Sequence, residues 1–236
     1  MSSHSSSEFL QGLKDCLPIL LAVSFFGMLF GATGVSNGLT LGQTLLSSAT
    51  VFAGASQFVF LDLYNQKVPV WSILLAVFAV NFRHVLYSAS IGRYMGYFSA
   101  PAKYVAFFFL SDPSFGAGEK RVETQPLKPS YYFGFAASIY PIWLVSTLVG
   151  ALSGNLISNP KALGMDMLLS VYFLALLMGF RARPNWMSSV LASAIAAIFV
   201  YNVYGSPWHI MAGALTGVTL AAVVGKPTQR EDEGNV

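Results

Sequence analysis

The chain has 236 residues, of which 55% are hydrophobic and only 10% charged, with a mean hydropathy of +0.60. Soluble domains carry roughly a quarter charged residues, so the composition excludes a soluble enzyme or binding module and points to an all-α polytopic membrane protein. The net charge of +3 is scattered between apolar runs, which excludes a nucleic-acid interface, and the single cysteine, Cys16, excludes a disulfide framework or a Cys-based metal site.

Residues 1–15 form a polar N-terminal segment, opened by MSSHSSSEF. The first apolar run, Leu17–Gly34, is longer than the core of a signal peptide, has almost no basic lead-in and is followed by further runs. We read it as the first of about seven spans: 16–34, 42–63, 69–91, 131–153, 163–180, 185–203 and 207–225. Together they make one transmembrane domain over 16–225, and residues 226–236 are a polar tail. Between the third and fourth spans, Tyr94–Lys128 contains the apolar YVAFFFL (Tyr104–Leu110) close behind Pro101 and Lys103. It reads as an eighth span, a re-entrant segment or an interfacial helix.

Lysine and arginine report topology. With seven spans and the N-terminus outside, nine of the thirteen basic residues fall inside, three outside, and Arg83 within the membrane. Eight spans with the N-terminus inside give the same division. Both arrangements put the C-terminus and the Arg181–Arg183 loop in the cytoplasm.

An internal repeat favours seven. PILLAVSFFGMLFG (Pro18–Gly31) and PIWLVSTLVGALSG (Pro141–Gly154) share Pro, Ile, Leu and two glycines at identical spacing. LGQTLLS (Leu41–Ser47) parallels LGMDMLLS (Leu163–Ser170), and Trp71 and Trp186 each open a third span. With three spans between equivalent positions, the copies are two inverted three-helix repeats, about 16–91 and 131–203, followed by a final helix at 207–225. Gly27-x3-Gly31 and Gly150-x3-Gly154 read as packing faces, because small residues let helix backbones approach.

Polar residues inside apolar runs are the candidates for function. In the second span, Ser47, Thr50, Gly54 and Gln57 recur at helical spacing, a pattern that suits helix packing. It also suits a helix opened at Gly54-Ala55-Ser56, where backbone N–H groups at the start of a half-helix would face an anion and Ser56 and Gln57 would add donors. In the third span, Arg83 lies twelve residues after Trp71, about 18 Å into a core of about 30 Å. A guanidinium there costs from about 2.5 to more than 10 kcal/mol unless it is paired or snorkels to the surface. Asn81, His84 and Ser88 share one stripe and Arg83 and Tyr87 the next, so this helix turns a polar side toward protein or water. The partner for Arg83 is Asp112 or Asp166, and Asp112 in LSDPSF also reads as a surface turn. Histidine titrates near neutrality, which makes His84, beside Arg83, the candidate for proton coupling, with Asp112. No cofactor or metal motif stands out, and no enzyme constellation.

With FAGASQF (Phe52–Phe58), NFRHVLY (Asn81–Tyr87) and LSDPSF (Leu110–Phe115) in this order, the chain resembles the AzlC family of bacterial membrane proteins over about residues 10–225. The resemblance implies export of small hydrophobic amino acids, branched-chain ones above all, across the inner membrane together with a small AzlD-type subunit. It implies substrate-binding roles for Gly54, Ala55, Ser56, Gln57, Phe58, Asn81, Arg83 and Tyr87, and a role for His84. Pro113 stands where the family usually shows a second acidic residue after the aspartate. The expected activity is proton-coupled secondary export by alternating access. A channel for a small neutral solute and a non-transporting scaffold subunit are the alternatives.

Overall fold

The computed structural model describes residues 2–65, 68–154, 174, 177–178, 180–205 and 208–224. The regular structure among them is helical: α1 (Ser2–Ser36), α2 (Leu41–Val51), α3 (Gly54–Asn65), α4 (Val70–Ile91) with a 3-10 turn at Gly92–Tyr94, α5 (Ala100–Phe108), α6 (Asp112–Val122), α7 (Pro129–Ser153), α8 (Trp186–Tyr204) and α9 (Trp208–Val224). Four described stretches are long and apolar enough to cross a bilayer: Ser6–Ser36, Val70–Tyr94, Pro129–Ser153 and Trp186–Tyr204. Helix α9 is apolar but shorter. Most of the predicted fifth span, with Asp166 and LGMDMLLS, and the tail 226–236 lie outside the described residues. The chain forms two compact units, Met1–Asp166 and Met167–Val236.

The first unit is organised on α1 and α7. Glycines put the two backbones in direct contact: a Cβ on Gly12 or Gly31 would meet the carbonyl of Tyr131 or Thr147, and one on Gly134 or Gly150 would meet that of Phe9 or Met28. The pairs rise together along both helices, so α1 and α7 run parallel. Gly31 and Gly150 thus act as the packing residues their spacing predicts. Gly150→Ala forces the Met28 carbonyl away and should cost about 1–3 kcal/mol. A lower thermal midpoint of the purified variant in detergent checks this.

Charges tie the shared N-terminal end of this pair. Glu8 accepts from Arg121 at 2.6 Å and from Lys128 at 2.8 Å. The Arg121 guanidinium lies 4.3 Å from the centre of the Tyr131 ring, whose hydroxyl donates to Asp15 at 2.9 Å. Arg121 is only 6% exposed, so removing Glu8 would strand a buried cation.

Helix α6 ends at this same place, and α4 runs parallel to α6. Arg83 meets Asp112, Ser90 meets Glu119, and Ile91 lies against Gly118. Helix α4 therefore finishes at the Glu8 end. Its 22 residues, about 33 Å of helix, carry its start to the Ser36 end. The short link from α3 places the end of α3 there too. Helix α2 also begins there, with Thr44 against Gly34. The segment α2–α3 thus enters and leaves at one end, and the Gln57 side chain reaching back to Ser47 and Ser48 closes it into a hairpin. By the same reasoning α5–α6 is a hairpin from the opposite end: α5 starts just beyond α4, and α6 returns to Glu8.

This geometry corrects two expectations and selects among the readings of a third segment. The predicted span 42–63 is two helices rather than one, because the chain turns at Phe52–Ala53. For Tyr94–Lys128 it fits the re-entrant reading, with α5 and α6 forming a pair that leaves and returns at one end. Pro18–Gly31 and Pro141–Gly154 run parallel, so they are not inverted copies of each other. A hairpin followed by a span (α2–α3 then α4) is matched by a hairpin followed by a span entering from the other end (α5–α6 then α7).

In the second unit α8 and α9 pair antiparallel. Gly213 lies against Ser193 and Ala197, Gly217 against Ser193, and Asn185 donates to the Val224 carbonyl at 3.2 Å. Their outer faces are apolar and exposed, with Ile195, Ile198 and Phe199 all above 60%.

Candidate functional site

The first hairpin turns on an aromatic residue in the left-handed region. Phe52 has φ 44° and ψ 39°, a conformation that costs a bulky side chain about 1–3 kcal/mol. Its ring packs on Tyr140 at 5.0 Å, Phe108 at 6.3 Å and Phe109 at 6.5 Å, and this burial offsets the strain. Helix α3 then starts at Gly54. Ser56 is fully buried and donates to the Ala53 carbonyl at 2.8 Å. Gln57, 2% exposed, donates to Ser47 and Ser48 at 3.2 and 3.3 Å, and Ser48 bonds Thr147 of α7 at 3.0 Å. Ala55 is buried, and Phe58 is half-buried edge-on to Phe30 at 5.8 Å. Phe30 in turn stacks on Trp143, whose ring edge covers Gly54 closely enough that an added Cβ would sit 2.9 Å from it.

The second hairpin turns at Phe109–Ser111, and α6 starts with Asp112. Arg83 Nη1 lies 3.0 Å from Asp112 Oδ1, and the Tyr87 hydroxyl donates to the same oxygen at 3.0 Å. Tyr87 stacks flat on Phe115 at 4.2 Å. His84 packs edge-on to Tyr87 at 5.8 Å, with Nδ1 3.3 Å from the Asn81 carbonyl. Asn81 is half-buried, and its side-chain oxygen has no hydrogen-bond partner. The outward face of α4 carries Phe82, Val85 and Leu86, all exposed, so the two polar stripes face the protein interior as their spacing predicts.

Both hairpin tips meet in the middle of α7. The Tyr140 ring touches Phe52 of one tip and Phe108 and Phe109 of the other. Its hydroxyl donates at 2.9 Å to the Ala49 carbonyl in the last turn of α2, one of the groups a helix end leaves unpaired. Tyr132 does the same for the Ala106 carbonyl of α5, also at 2.9 Å. Tyr140→Phe keeps the ring but strands a carbonyl, which should cost about 1–3 kcal/mol. A thermal melt of the variant measures it.

The starts of α3 and α6 are built alike and charged differently. Ser114, the third residue of α6, donates to the Ser111 carbonyl at 3.0 Å, as Ser56 does to Ala53 in α3. Asp112 puts a carboxylate on the positive end of α6, whereas α3 has no acid in its first turn. The candidate residues therefore fall into two neighbouring groups joined through the aromatic tips. Gly54–Phe58 surround the start of α3. Arg83 and Tyr87 meet the start of α6, with the guanidinium of Arg83 on Asp112, and Asn81 and His84 occupy the neighbouring stripe of α4. Thr50, which shared the predicted stripe, is exposed and bonds only its own helix at Leu46. Sequence reasoning missed Tyr132, Tyr140 and Trp143. The available signal was position: aromatic residues with polar tips favour the membrane interfaces, yet Tyr140 and Trp143 flank Pro141 at the centre of an apolar run.

Comparison with known proteins assigns the chain to a family of membrane proteins. The family described as AzlC protein matches residues 18–157. The inner membrane protein YgaZ of Escherichia coli is 28% identical over 227 residues, covering 92% of this chain and 91% of its own length. A membrane protein of Archaeoglobus fulgidus is 25% identical, with 95% of each chain covered. The branched-chain amino acid transport protein AzlC of Bacillus subtilis is 19% identical over 96% of this chain and 89% of its own. No solved structure matches. The chain is a helical membrane protein and belongs to the AzlC family.

Proposed function

We propose that the protein is a secondary transporter that exports branched-chain amino acids across the inner membrane, coupled to protons and working with a small AzlD-type subunit. The observation that carries this reading is the meeting of two oppositely entering hairpins at Tyr140, with the uncharged start of α3 among buried aromatic rings. A helix start offers N–H groups to a carboxylate, and Phe30, Phe58 and Trp143 suit a branched apolar side chain. Broken helices whose half-helix ends converge near the midplane are the architecture secondary transporters use for substrate. The Bacillus subtilis relative, a branched-chain amino acid transport protein, supports the same substrate class. In this reading the hairpin-plus-span units rock against each other about the Tyr140 contact. The Arg83–Asp112–Tyr87 group holds the second hairpin, and His84 beside it takes and releases the coupled proton.

The test is reconstitution of the purified protein, with and without its small partner, into leucine-loaded vesicles. Saturable counterflow of labelled leucine that responds to an imposed pH gradient supports the proposal. Flux without exchange acceleration would identify a channel, and no flux with either preparation would identify a scaffold. For orientation, the end bearing Arg93, Lys120, Arg121 and Lys128 belongs in the cytoplasm by the positive-inside rule, and so does the C-terminus. A reporter active only in the periplasm, fused after Val236, should stay silent.

A further inference from the structure

The ion pairs at the Glu8 end sit on a boundary between two pieces of the first unit. Helices α1 and α7 make one piece there, because Gly12 and Gly134 bring each backbone against the other. Helices α4 and α6 make the second: Asp112 holds Arg83 and Tyr87, Ser90 donates to Glu119, and Gly118 lies against Ile91. Arg121, in the last turn of α6, crosses between the pieces. Its guanidinium lies on the Tyr131 ring of α7 and donates to Glu8 of α1 at 2.6 Å. Lys128, just ahead of α7, shares Glu8 from the outer side, its side chain 39% exposed against 5% for Arg121.

A tie of this kind can both hold and release. Dehydrating two ions costs nearly what their attraction returns, so a buried pair adds little net stability while both partners are present. Water already reaches the cluster beside Lys128, and ions that part into it regain their hydration. An apolar contact in the same place would expose its surface to water each time it opened. Deeper in, the second hairpin reaches Tyr140 and Phe52 through Phe108 and Phe109, and Phe52 stands two residues before α3. Parting the two pieces at the charged end would therefore open a way toward the start of α3.

We propose that Glu8 and Arg121 form the cytoplasmic gate of the transport cycle: the closed pair shuts the start of α3 off from the cytoplasm, and its breaking lets α4 and the second hairpin swing away from α1 and α7 to admit substrate. This rests on the transport reading above and on the cytoplasmic placement of this end.

The test is the distance between spin labels attached after Gln11→Cys and Lys120→Cys, two exposed positions on α1 and α6. Cys16, the chain's single cysteine, is replaced by Cys16→Ala, and the full chain is measured with its partner subunit in lipid nanodiscs. Without substrate, one short separation should dominate. Glu8→Gln strands Arg121 in the closed state but leaves it hydrated in the open one, so the ratio of short to long separations should fall about tenfold. Glu8→Met combined with Arg121→Met puts apolar surface where the ions were. The short separation should then persist, and leucine counterflow in vesicles should be lost although the protein is as stable as the unaltered one. Counterflow at the unaltered level in this double variant would make the pair a structural contact and overturn the gate. A separation that Glu8→Gln leaves unmoved would overturn the gate as well, with transport intact. Absence of leucine counterflow from the unaltered protein overturns the transport reading and the gate together.

Discussion

Replacing Asp112 with asparagine should destabilise the protein by about 3–5 kcal/mol and end export, because it leaves the Arg83 guanidinium in a largely buried site without its charge partner. The side chains of Arg83 and Asp112 are only 17% and 10% exposed, so water compensates little. Asp112 also accepts from Tyr87, and its place as the first residue of α6 ties the second hairpin to α4. Arg83→Ala strands the carboxylate instead and should cost a similar amount. Removing both charges with apolar residues of similar volume should recover much of the stability, since a buried pair contributes less than either member costs when left alone. Export should not recover, because the hairpin loses its attachment to α4. Arg83→Lys keeps the charge but loses the planar fork of donors, and should fail in export nearly as badly as Arg83→Ala. Amino-acid efflux measured at matched membrane levels, alongside thermal melts, separates these cases. Full export by Arg83→Lys would make Arg83 a simple point charge.

Much of this group was legible in the sequence, and the reason is energetic. An arginine deep in an apolar run must face inward and find an acceptor, and the spacing of Asn81, Arg83, His84, Tyr87 and Ser88 placed them on the inward side of α4. The identity of the acceptor was not legible. Asp112 sits in a sequence equally suited to a surface turn, and only the return of α6 alongside α4 brings it to Arg83. The hairpins were legible only in part: the sequence offers a helix opened at Gly54–Ser56 and a re-entrant segment at Tyr94–Lys128, but not the end at which either enters. The run 42–63 has the length and hydropathy of a crossing, and its turn falls on Phe52, not on a glycine. What stabilises Phe52 there is tertiary, namely the rings of Tyr140, Phe108 and Phe109, so no local propensity announces the turn. Ser47 and Gln57 stand at a spacing that suits one face of one helix. These residues do meet, across a hairpin. The parallel course of α1 and α7 follows from glycine contacts that spacing can suggest but whose direction it cannot give.

Gly54→Leu should abolish export while the protein still inserts and folds. The Trp143 ring leaves no room above Gly54: the first side-chain carbon would already lie 2.9 Å from Cη2. Trp143 cannot easily withdraw, being stacked 6.4 Å from Phe30 and mostly buried. Alanine at position 54 asks for a small adjustment of the ring and should lower stability by about 1–3 kcal/mol, with export reduced but measurable. Leucine adds three more carbons, which have to enter the space beside the first N–H groups of α3. Gly54 is itself only half-buried, so part of that bulk is accommodated outward and the fold survives. The N–H groups do not stay accessible. Transport should therefore be lost out of proportion to stability, a separation that simple overpacking would not produce. Leucine counterflow in vesicles, set against the melting temperature and membrane level of each variant, is the measurement. Normal counterflow from an inserted Gly54→Leu protein would make the start of α3 a packing feature and move the substrate site elsewhere. Loss of counterflow in proportion to stability across the alanine and leucine variants would lead to the same conclusion.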